Sequence, residues 1–367
     1  MTKITPNTIP EIDNLQKQVV SLIEESRSKI KTAVNTAMLY TYYGVGYYIV
    51  EFEQRGKNRA EYGKNIIIQL SQQLMEQFGD GWSEDTLERT RKFYLAYSIS
   101  ATLLRKSSNS DIRNTSADIQ STLSHPFSSQ LSWSHYLILM RIRNVDERNF
   151  YEKECELSGW NVRQLQRQVA SSLYERIALS TDKEAVIRLA NEGYKLQKPD
   201  DLIKDPLTLE FLGLKHETTY SETKLEQAII DKMQDFLLEM GKGFLFEKRQ
   251  KRFTFDEQHF FVDLVFYNRL LQCYVLIDLK IDKLTHQDLG QMQMYVNYYD
   301  RFVRQAFEKP TIGILLCKEK NDALVELTLP KDANIYAQQY ALYLPEKKLL
   351  QQKLQEWIET EEKEDNL

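Results

Sequence analysis

Residues 259–281 read HFFVDLVFYNRLLQCYVLIDLKI, which sets Asp263 inside one apolar run and Asp278 and Lys280 inside the next. Charges in β-like runs are costly to bury unless a partner compensates them. Side chains alternate along a strand, so Asp278 and Lys280 share a face with Tyr274 and Leu276, and Asp263 shares one with Phe261, Val265 and Tyr267. The NRLLQ segment between the runs is short enough for an antiparallel hairpin, which brings Asp263 beside the D-x-K pair. Two carboxylates at one spot form a hard-oxygen site for Mg²⁺, a cation that uses few protein ligands and keeps several waters. A lysine beside them can orient or activate a water and stabilise charge building on phosphorus. The plainer alternative is a buried Asp–Lys salt bridge, but three charges in two apolar strands exceed what fold stability needs. The expected chemistry is metal-dependent hydrolysis of a phosphodiester.

The neighbouring elements must position these groups. SETKLEQAIIDKMQDFLLEMGKGF reads as one helix, capped by Ser221 or Thr223 and stopped by Gly241 and Gly243, with a buried stripe from Leu225 to Met240. Glu226 sits at the border of that stripe. It is either a capping-box partner of Thr223 or a carboxylate aimed at the catalytic centre. FLFEKRQKRFTF follows as a strand whose middle carries Lys248, Arg249, Lys251 and Arg252, a charge density suited to a phosphate backbone or to a solvated, protected edge. After the D-x-K strand, THQDLGQMQMYVNYYDRF is a helix opened by Thr285, with Gln291 and Tyr295 on one face. PTIGILLC is a buried strand reached by a crossover. VELTL and IYAQQYALYLP are expected as edge strands, and the chain ends in a helix with an acidic tail.

The N-terminal half is patterned for helices over 11–54 and 61–78, with Gly44 and Gly46 marking close packing or a kink. A further helix is capped by Ser83, carries Glu84 and Asp85 at its start, and displays Arg89, Arg91 and Lys92. A helix, a Gly turn and a capped basic helix outline a helix-turn-helix reader, although the spacing alone slightly favours a packed hairpin with a solvated face. Residues 105–130 are rich in Ser, Thr and Asn and read as a surface loop or insertion. Helical patterning resumes at LSWSHYLILMRIRNVDERNFYEKECELSG. Gly81-Trp82 with Leu87 and Arg89 repeats the spacing of Gly159-Trp160 with Leu165 and Arg167, either as two related units or by chance. In the second unit Arg163, Arg167 and Arg176 can touch phosphates or line an ordinary solvated face.

A net charge of −5 argues against a wholly basic coat but leaves room for a local basic groove. Cys155, Cys273 and Cys317 fit no CxxC spacing, so neither a disulfide framework nor a zinc site is indicated and a reducing cytoplasm is expected. The start lacks the apolar stretch of a secretory signal, and no apolar run reaches the ~18–20 residues of a membrane span.

The D…DxK residues, with the helix before them and the helix and strand after them, resemble the PD-(D/E)xK nuclease superfamily. More closely, DPLTLEFLGL, FLLEMGKGF, RQKR, FFVDLVFYNR, LIDLK, LGQMQMY, TIGILLC and YALYLP, with LSWSHYLILMRI, GWNVRQLQRQ and LYERI earlier, are similar to the bacterial YhcG family. That resemblance implies a multidomain chain. A helical DNA-binding or assembly domain is expected over 1–180, a linker over 181–206, an α/β restriction-endonuclease-like domain of αβββαβ order over 207–352, and an acidic tail over 353–367. It implies Asp263, Asp278 and Lys280 as the catalytic core and Gln291 and Tyr295 as a supporting QxxxY element. Glu226 then joins Asp263 and Asp278 as a ligand of one or two Mg²⁺ or Mn²⁺. Two departures stand out: Val262 replaces the Pro of the superfamily's name, and Asp278 stands where relatives usually carry Glu. The implied function is a metal-dependent DNA endonuclease, with a homodimer suited to cutting both strands. Its rivals are a binding or scaffold protein on an inactive nuclease fold and a nuclease acting on RNA.

Overall fold

The computed structural model describes residues 10–55, 59–102, 127–179, 188–189, 192–204, 206–214, 220–330 and 333–364. Most of the polar stretch 105–130, and residues 181–187, 190–191 and 205 of the expected linker, lie outside the described residues. Contacts divide the chain into two compact units. One comprises 1–148 with 159–162, the other 149–158 with 163–367.

The first unit is helical. It holds α1 (Pro10–Arg55), α2 (Arg59–Phe78), α3 (Glu84–Thr102), α4 (Trp133–Leu139) and the start of α5 (Val145–Ser158). Ser83 caps α3, its Oγ accepting from Thr86 N at 3.4 Å. Of the two readings for the α1 glycines, close packing holds for Gly46: a Cβ there would lie 2.1 Å from the carbonyl oxygen of Thr90 on α3. Tyr43, Phe93, Phe127, Trp133 and Tyr136 form an aromatic core, with Phe93 edge-on to Tyr43, Trp133 and Tyr136. The helical run expected over 131–158 is two helices, because Asn144 Oδ1 accepts from Glu147 N at 3.0 Å and starts α5 afresh.

The second unit begins with the rest of α5, α6 (Val162–Ala170, from Arg163 on) and α7 (Leu173–Ala178). Ser172, at φ 53°, breaks what would otherwise be one helix. These helices are tied to the rest of the unit by charge. Arg176 Nη1 lies 2.6 Å from Glu239 Oε1, both side chains fully buried, and Arg167 Nη1 lies 3.0 Å from Glu239 Oε2. The described part of the expected linker is packed as well, with Leu202 and Lys204 buried.

The sheet has six strands: β1 (Leu207–Thr208), β2 (Phe244–Phe255), β3 (Gln258–Asn268), β4 (Cys273–Lys283), β5 (Ile312–Glu319) and β6 (Ile335–Ala341), in the order β1-β6-β5-β4-β3-β2. β2, β3 and β4 are antiparallel, while β4, β5, β6 and β1 run parallel. The helix expected over 221–243 is split at Lys232 into α8 (Glu222–Asp231) and α9 (Met233–Met240). Leu225, Ile229, Phe236 and Met240 of this pair pack on Leu264, Phe266, Val275 and Ile277. On a second core α10 (His286–Phe302) sets Leu289, Met292, Tyr295 and Tyr299 against Val262, Val265, Leu276 and Leu315. Each such fully buried side chain is worth ~1.5–3 kcal/mol relative to exposure. The element order is therefore the helix, three antiparallel strands, helix and parallel strand that were expected.

Two expectations are corrected. VELTL is not an edge strand but part of α11 (Asp322–Thr328), because Asn321 Oδ1 accepts from Leu324 N at 3.2 Å and nucleates a turn. IYAQQYA does form a strand, β6, but an interior one between β5 and β1. The last helix, α12 (Lys347–Glu364), runs through the start of the expected tail, with Leu354 buried and Gln351 Nε2 donating to Glu175 Oε1 at 3.0 Å.

Candidate active site

Asp263 stands where the sheet opens. Val262 and Val265 belong to the α10 core whereas Leu264 and Phe266 belong to the α8–α9 core, so strict alternation fails at Asp263. The β3–β4 pairing also ends there, at Leu264 opposite Ile277. Asp263 occupies the gap: its Oδ2 accepts from Leu279 N on β4 at 2.8 Å. The carboxylate thus satisfies a strand amide where the ladder has stopped.

Asp278 and Lys280 share a face of β4, as expected. Asp278 is buried, 3% exposed. Lys280 Nζ lies 2.8 Å from Asp278 Oδ2, close enough for an ion pair. No other donor reaches Oδ2, so the lysine ammonium is its one partner among the described residues. Burial first, and then the neighbouring Asp263 charge, push the Asp278 carboxyl up to about 7. Burial opposes the charge on Lys280, but Asp278, then Glu222 and Asp288, more than offset it and hold its ammonium above the ordinary lysine range. Asp288 Oδ1 lies 3.8 Å from Lys280 Nζ and Glu222 Oε2 lies 4.0 Å away.

Glu226 is drawn toward this group but is not a capping-box residue. Ser221 caps α8 instead, its Oγ accepting from Lys224 N at 3.2 Å. Glu226 is 4% exposed, its Oε1 accepts from Arg249 Nε, and its Oε2 accepts from Gln250 Nε2 at 2.7 Å. Gln250 Nε2 also donates to Asp263 Oδ1 at 2.8 Å. Gln291 and Tyr295 lie on one face of α10. Gln291 Nε2 donates to the Tyr295 hydroxyl, which donates to Phe261 O at 2.9 Å and so braces β3 two residues before Asp263.

The expected cation ligands are not all brought together. Among the described residues no group of three or more His, Cys, Asp or Glu side chains is arranged to hold a metal ion. Glu226 is engaged by Arg249 and Gln250, and reaches Asp263 only through the Gln250 amide. Asp263 and Asp278 do fit a divalent cation. Asp278 Oδ2 is buried with only the Lys280 ammonium beside it, and burial followed by the Asp263 charge raises the carboxyl. Mg²⁺ needs only one or two carboxylates.

The basic residues divide. Lys248 and Arg252 are exposed and Lys251 is half-buried, whereas Arg249 is turned inward to Glu226 and to Gln227, with its Nη1 2.6 Å from Gln227 Oε1. Arg163 and Lys92 are exposed. Arg89 pairs with Asp85 at 3.2 Å, and Arg91 with Glu53 at 2.9 Å. Arg167 is not presented to solvent, since Glu210 and Glu239 take its guanidinium. The repeated GWx4LxR spacing therefore buries Leu87 and Leu165 alike but gives its two arginines different partners.

Sequence reasoning missed Gln250, Glu222 and Asp288. Asp288 had a visible signal as the fourth residue of a Thr285-x-x-Asp cap, which forms, but its nearness to Lys280 depends on the fold.

Residues 200–355 match the family model described as the YhcG PDDEXK nuclease domain, and residues 18–176 match the DUF1016 N-terminal domain. The chain is 38% identical over 364 residues to the Escherichia coli (strain K12) protein named "Putative nuclease YhcG", covering 96% of each chain. Among solved structures, the crystal structure of a repair endonuclease from Pyrococcus abyssi matches 36% of this chain and 50% of its own length. Its identity is 16% and its TM-score 0.24, a likeness too slight to argue from. The chain belongs to the YhcG family, and its C-terminal part is a PDDEXK nuclease domain.

Proposed function

We propose that the chain is a divalent-cation-dependent endonuclease that hydrolyses phosphodiester bonds of DNA, with Asp263, Asp278 and Lys280 as its catalytic core. The observation that carries this reading is the buried Asp278 carboxyl, raised by burial and by Asp263, with the Lys280 ammonium 2.8 Å from its Oδ2. A site that is merely structural gains nothing from setting two carboxylates against one another. A Mg²⁺ or Mn²⁺ held by Asp263 and Asp278 would supply Lewis-acid stabilisation of a phosphoryl oxygen. Lys280, held charged by its carboxylate neighbours, acts as a fixed positive donor toward the transition state and not as a base. Glu226 and the Gln291–Tyr295 pair hold the surroundings of Asp263. Lys248, Lys251 and Arg252 on β2, with Arg163, contact the phosphate backbone.

No helix among the described residues is long and apolar enough to cross a membrane. One site per chain suits a homodimer for cutting both strands.

The test is a cleavage panel of linear, supercoiled, single-stranded and branched DNA, and of RNA, each with Mg²⁺, Mn²⁺ or chelator. Cation-dependent cutting of DNA by the wild type, lost in Asp263→Ala, is the expected result. Equal cutting by Asp263→Ala would show the site to be misassigned. Cutting of RNA alone would replace the substrate.

A further inference from the structure

Gln250 lies within the basic run KRQKR of β2, where nothing in the local pattern marks it. Its backbone sits at φ 46°, in the left-handed region that a side chain with a Cβ rarely adopts. The flanking register is unbroken, with Arg249 opposite Leu264 and Lys251 opposite Val262. The strained residue is therefore placed opposite the point where β3 carries Asp263.

That conformation has an effect. Neighbours on a regular strand point to opposite faces and cannot touch the same side chain. Arg249 and Gln250 nevertheless both donate to Glu226, one to each carboxylate oxygen. The left-handed residue breaks alternation and turns both toward α8. Backbone strain of this kind persists only where surrounding contacts over-determine it.

The side chain fits this place for a chemical reason. An amide nitrogen carries two N–H groups, and both are used: one goes to Glu226 Oε2 at 2.7 Å, the other to Asp263 Oδ1 at 2.8 Å. Carboxylates only accept, so the amide must face them with its nitrogen. Each oxygen that receives one such bond keeps a second lone pair. The amide is also neutral. An ammonium or guanidinium there would hold the same two groups but cancel the field that attracts a cation.

We propose that Gln250 is a positioning residue of the nuclease site, a neutral clamp that fixes Asp263 against Glu226 while leaving the negative charge of Asp263 available to a divalent cation. The proposal rests on the cation reading of Asp263 and Asp278.

The experiment compares full-length wild type with Gln250→Gly and Gln250→Glu. Glycine accepts φ 46° without strain, so Gln250→Gly should keep the path of β2 and remain folded while losing the clamp, and its binding and cleavage are measured on protein shown folded by circular dichroism. It should weaken Mn²⁺ binding by calorimetry about 10–100-fold and lower kcat for DNA cleavage by a similar factor, with KM for DNA unchanged. Gln250→Glu, which puts a third carboxylate in place of the donor, should lose cleavage without a comparable loss of Mn²⁺ binding. A Gln250→Gly protein that binds Mn²⁺ and cuts like wild type overturns the proposal.

A measurement without cation or turnover separates the two ways of failing. In cation-free protein labelled at glutamine side-chain nitrogens, both Gln250 amide protons should resonate downfield and exchange slowly. Asp263→Ala should release one of them and Glu226→Ala the other. Amide signals like those of free glutamine overturn the clamp. Wild type that binds no Mn²⁺ and cuts nothing, with the clamp signals present, overturns the nuclease reading and with it the catalytic meaning of the clamp.

Discussion

Lys280 Nζ lies 2.8 Å from Asp278 Oδ2 in the interior of the sheet, yet the acid of this pair, not the base, is the group close to neutrality at physiological pH. An ion pair alone would lower the carboxyl. Here burial and Asp263 outweigh the lysine and push Asp278 up to about 7. A cation that needs both carboxylates ionised therefore competes with a proton on Asp278. Cleavage should rise about tenfold per pH unit below about pH 7 and level off above it, and raising Mg²⁺ should move the midpoint downward. Profiles of kcat/KM at two Mg²⁺ concentrations measure this. A flat profile across that range would remove Asp278 from the cation site.

The same shift makes a prediction for stability in chelator. The folded carboxyl titrates above its ordinary 3.8, so the folded state holds the proton more tightly than the unfolded chain. The stability this contributes is complete below pH 3.8 and is lost as pH rises through about 7. Asp278→Asn removes the ionisation with little change of shape. At alkaline pH the variant should be more stable than wild type by on the order of 4 kcal/mol, with the difference vanishing in acid. Denaturant titrations on both sides of neutrality decide it. A variant less stable than wild type above pH 7 would mean that Asp278 is held ionised by Lys280 after all.

Lys280 is predicted to act by charge. Lys280→Ala removes one fixed donor, which corresponds to ~3–4 kcal/mol of transition-state stabilisation, or roughly 10²–10³ in kcat. Mn²⁺ binding should persist, because the carboxylates remain. Calorimetry and single-turnover cleavage on the same preparation separate the two effects. Loss of Mn²⁺ binding along with cleavage would recast Lys280 as a structural partner of Asp278.

Why some of this could be read from the chain and some could not follows from the kind of signal each residue carries. Asp263, Asp278 and Lys280 were legible because charges in apolar strands are energetically conspicuous wherever the strands go. Gln291 and Tyr295 were legible as a four-residue helical spacing. Gln250 was not, since a neutral residue in a charged run carries no local cost and its contacts to Glu226 and Asp263 depend on a backbone angle. The β2–β3 turn was equally hidden. Asp256 and Glu257 both take positive φ, at 48° and 60°, in a tight turn usually marked by Gly or Asn. The breaks at Ser172 and Lys232 fall inside good helical periodicity, and the tertiary packing of each half-helix decides them. VELTL failed as a strand because one capping side chain, Asn321, outweighs a short alternation.

The arginines make the final prediction, because two of those expected at a phosphate backbone differ in what already holds them. Arg167 is bound to Glu210 and Glu239. Burial alone would raise Glu239, but Arg176, Lys204 and Arg167 more than offset it and hold it down to about 2. The pairing therefore stabilises the fold above the ordinary glutamate range, and that stability is lost as pH falls through about 2. Arg252 is exposed on β2 beside His259, with Nη2 3.1 Å from His259 Nε2. Arg167→Ala should cost about 3 kcal/mol of folding stability, as breaking buried ion pairs does, and leave the DNA affinity of the folded fraction unchanged. Arg252→Ala should leave stability within about 0.5 kcal/mol. It should also weaken DNA binding on all sequences alike and reduce the slope of log affinity against log salt by about 1. Melting curves and salt-dependent binding isotherms on both variants test the pair together. A salt slope that falls in Arg167→Ala and not in Arg252→Ala would reverse the assignment and move the DNA path away from β2.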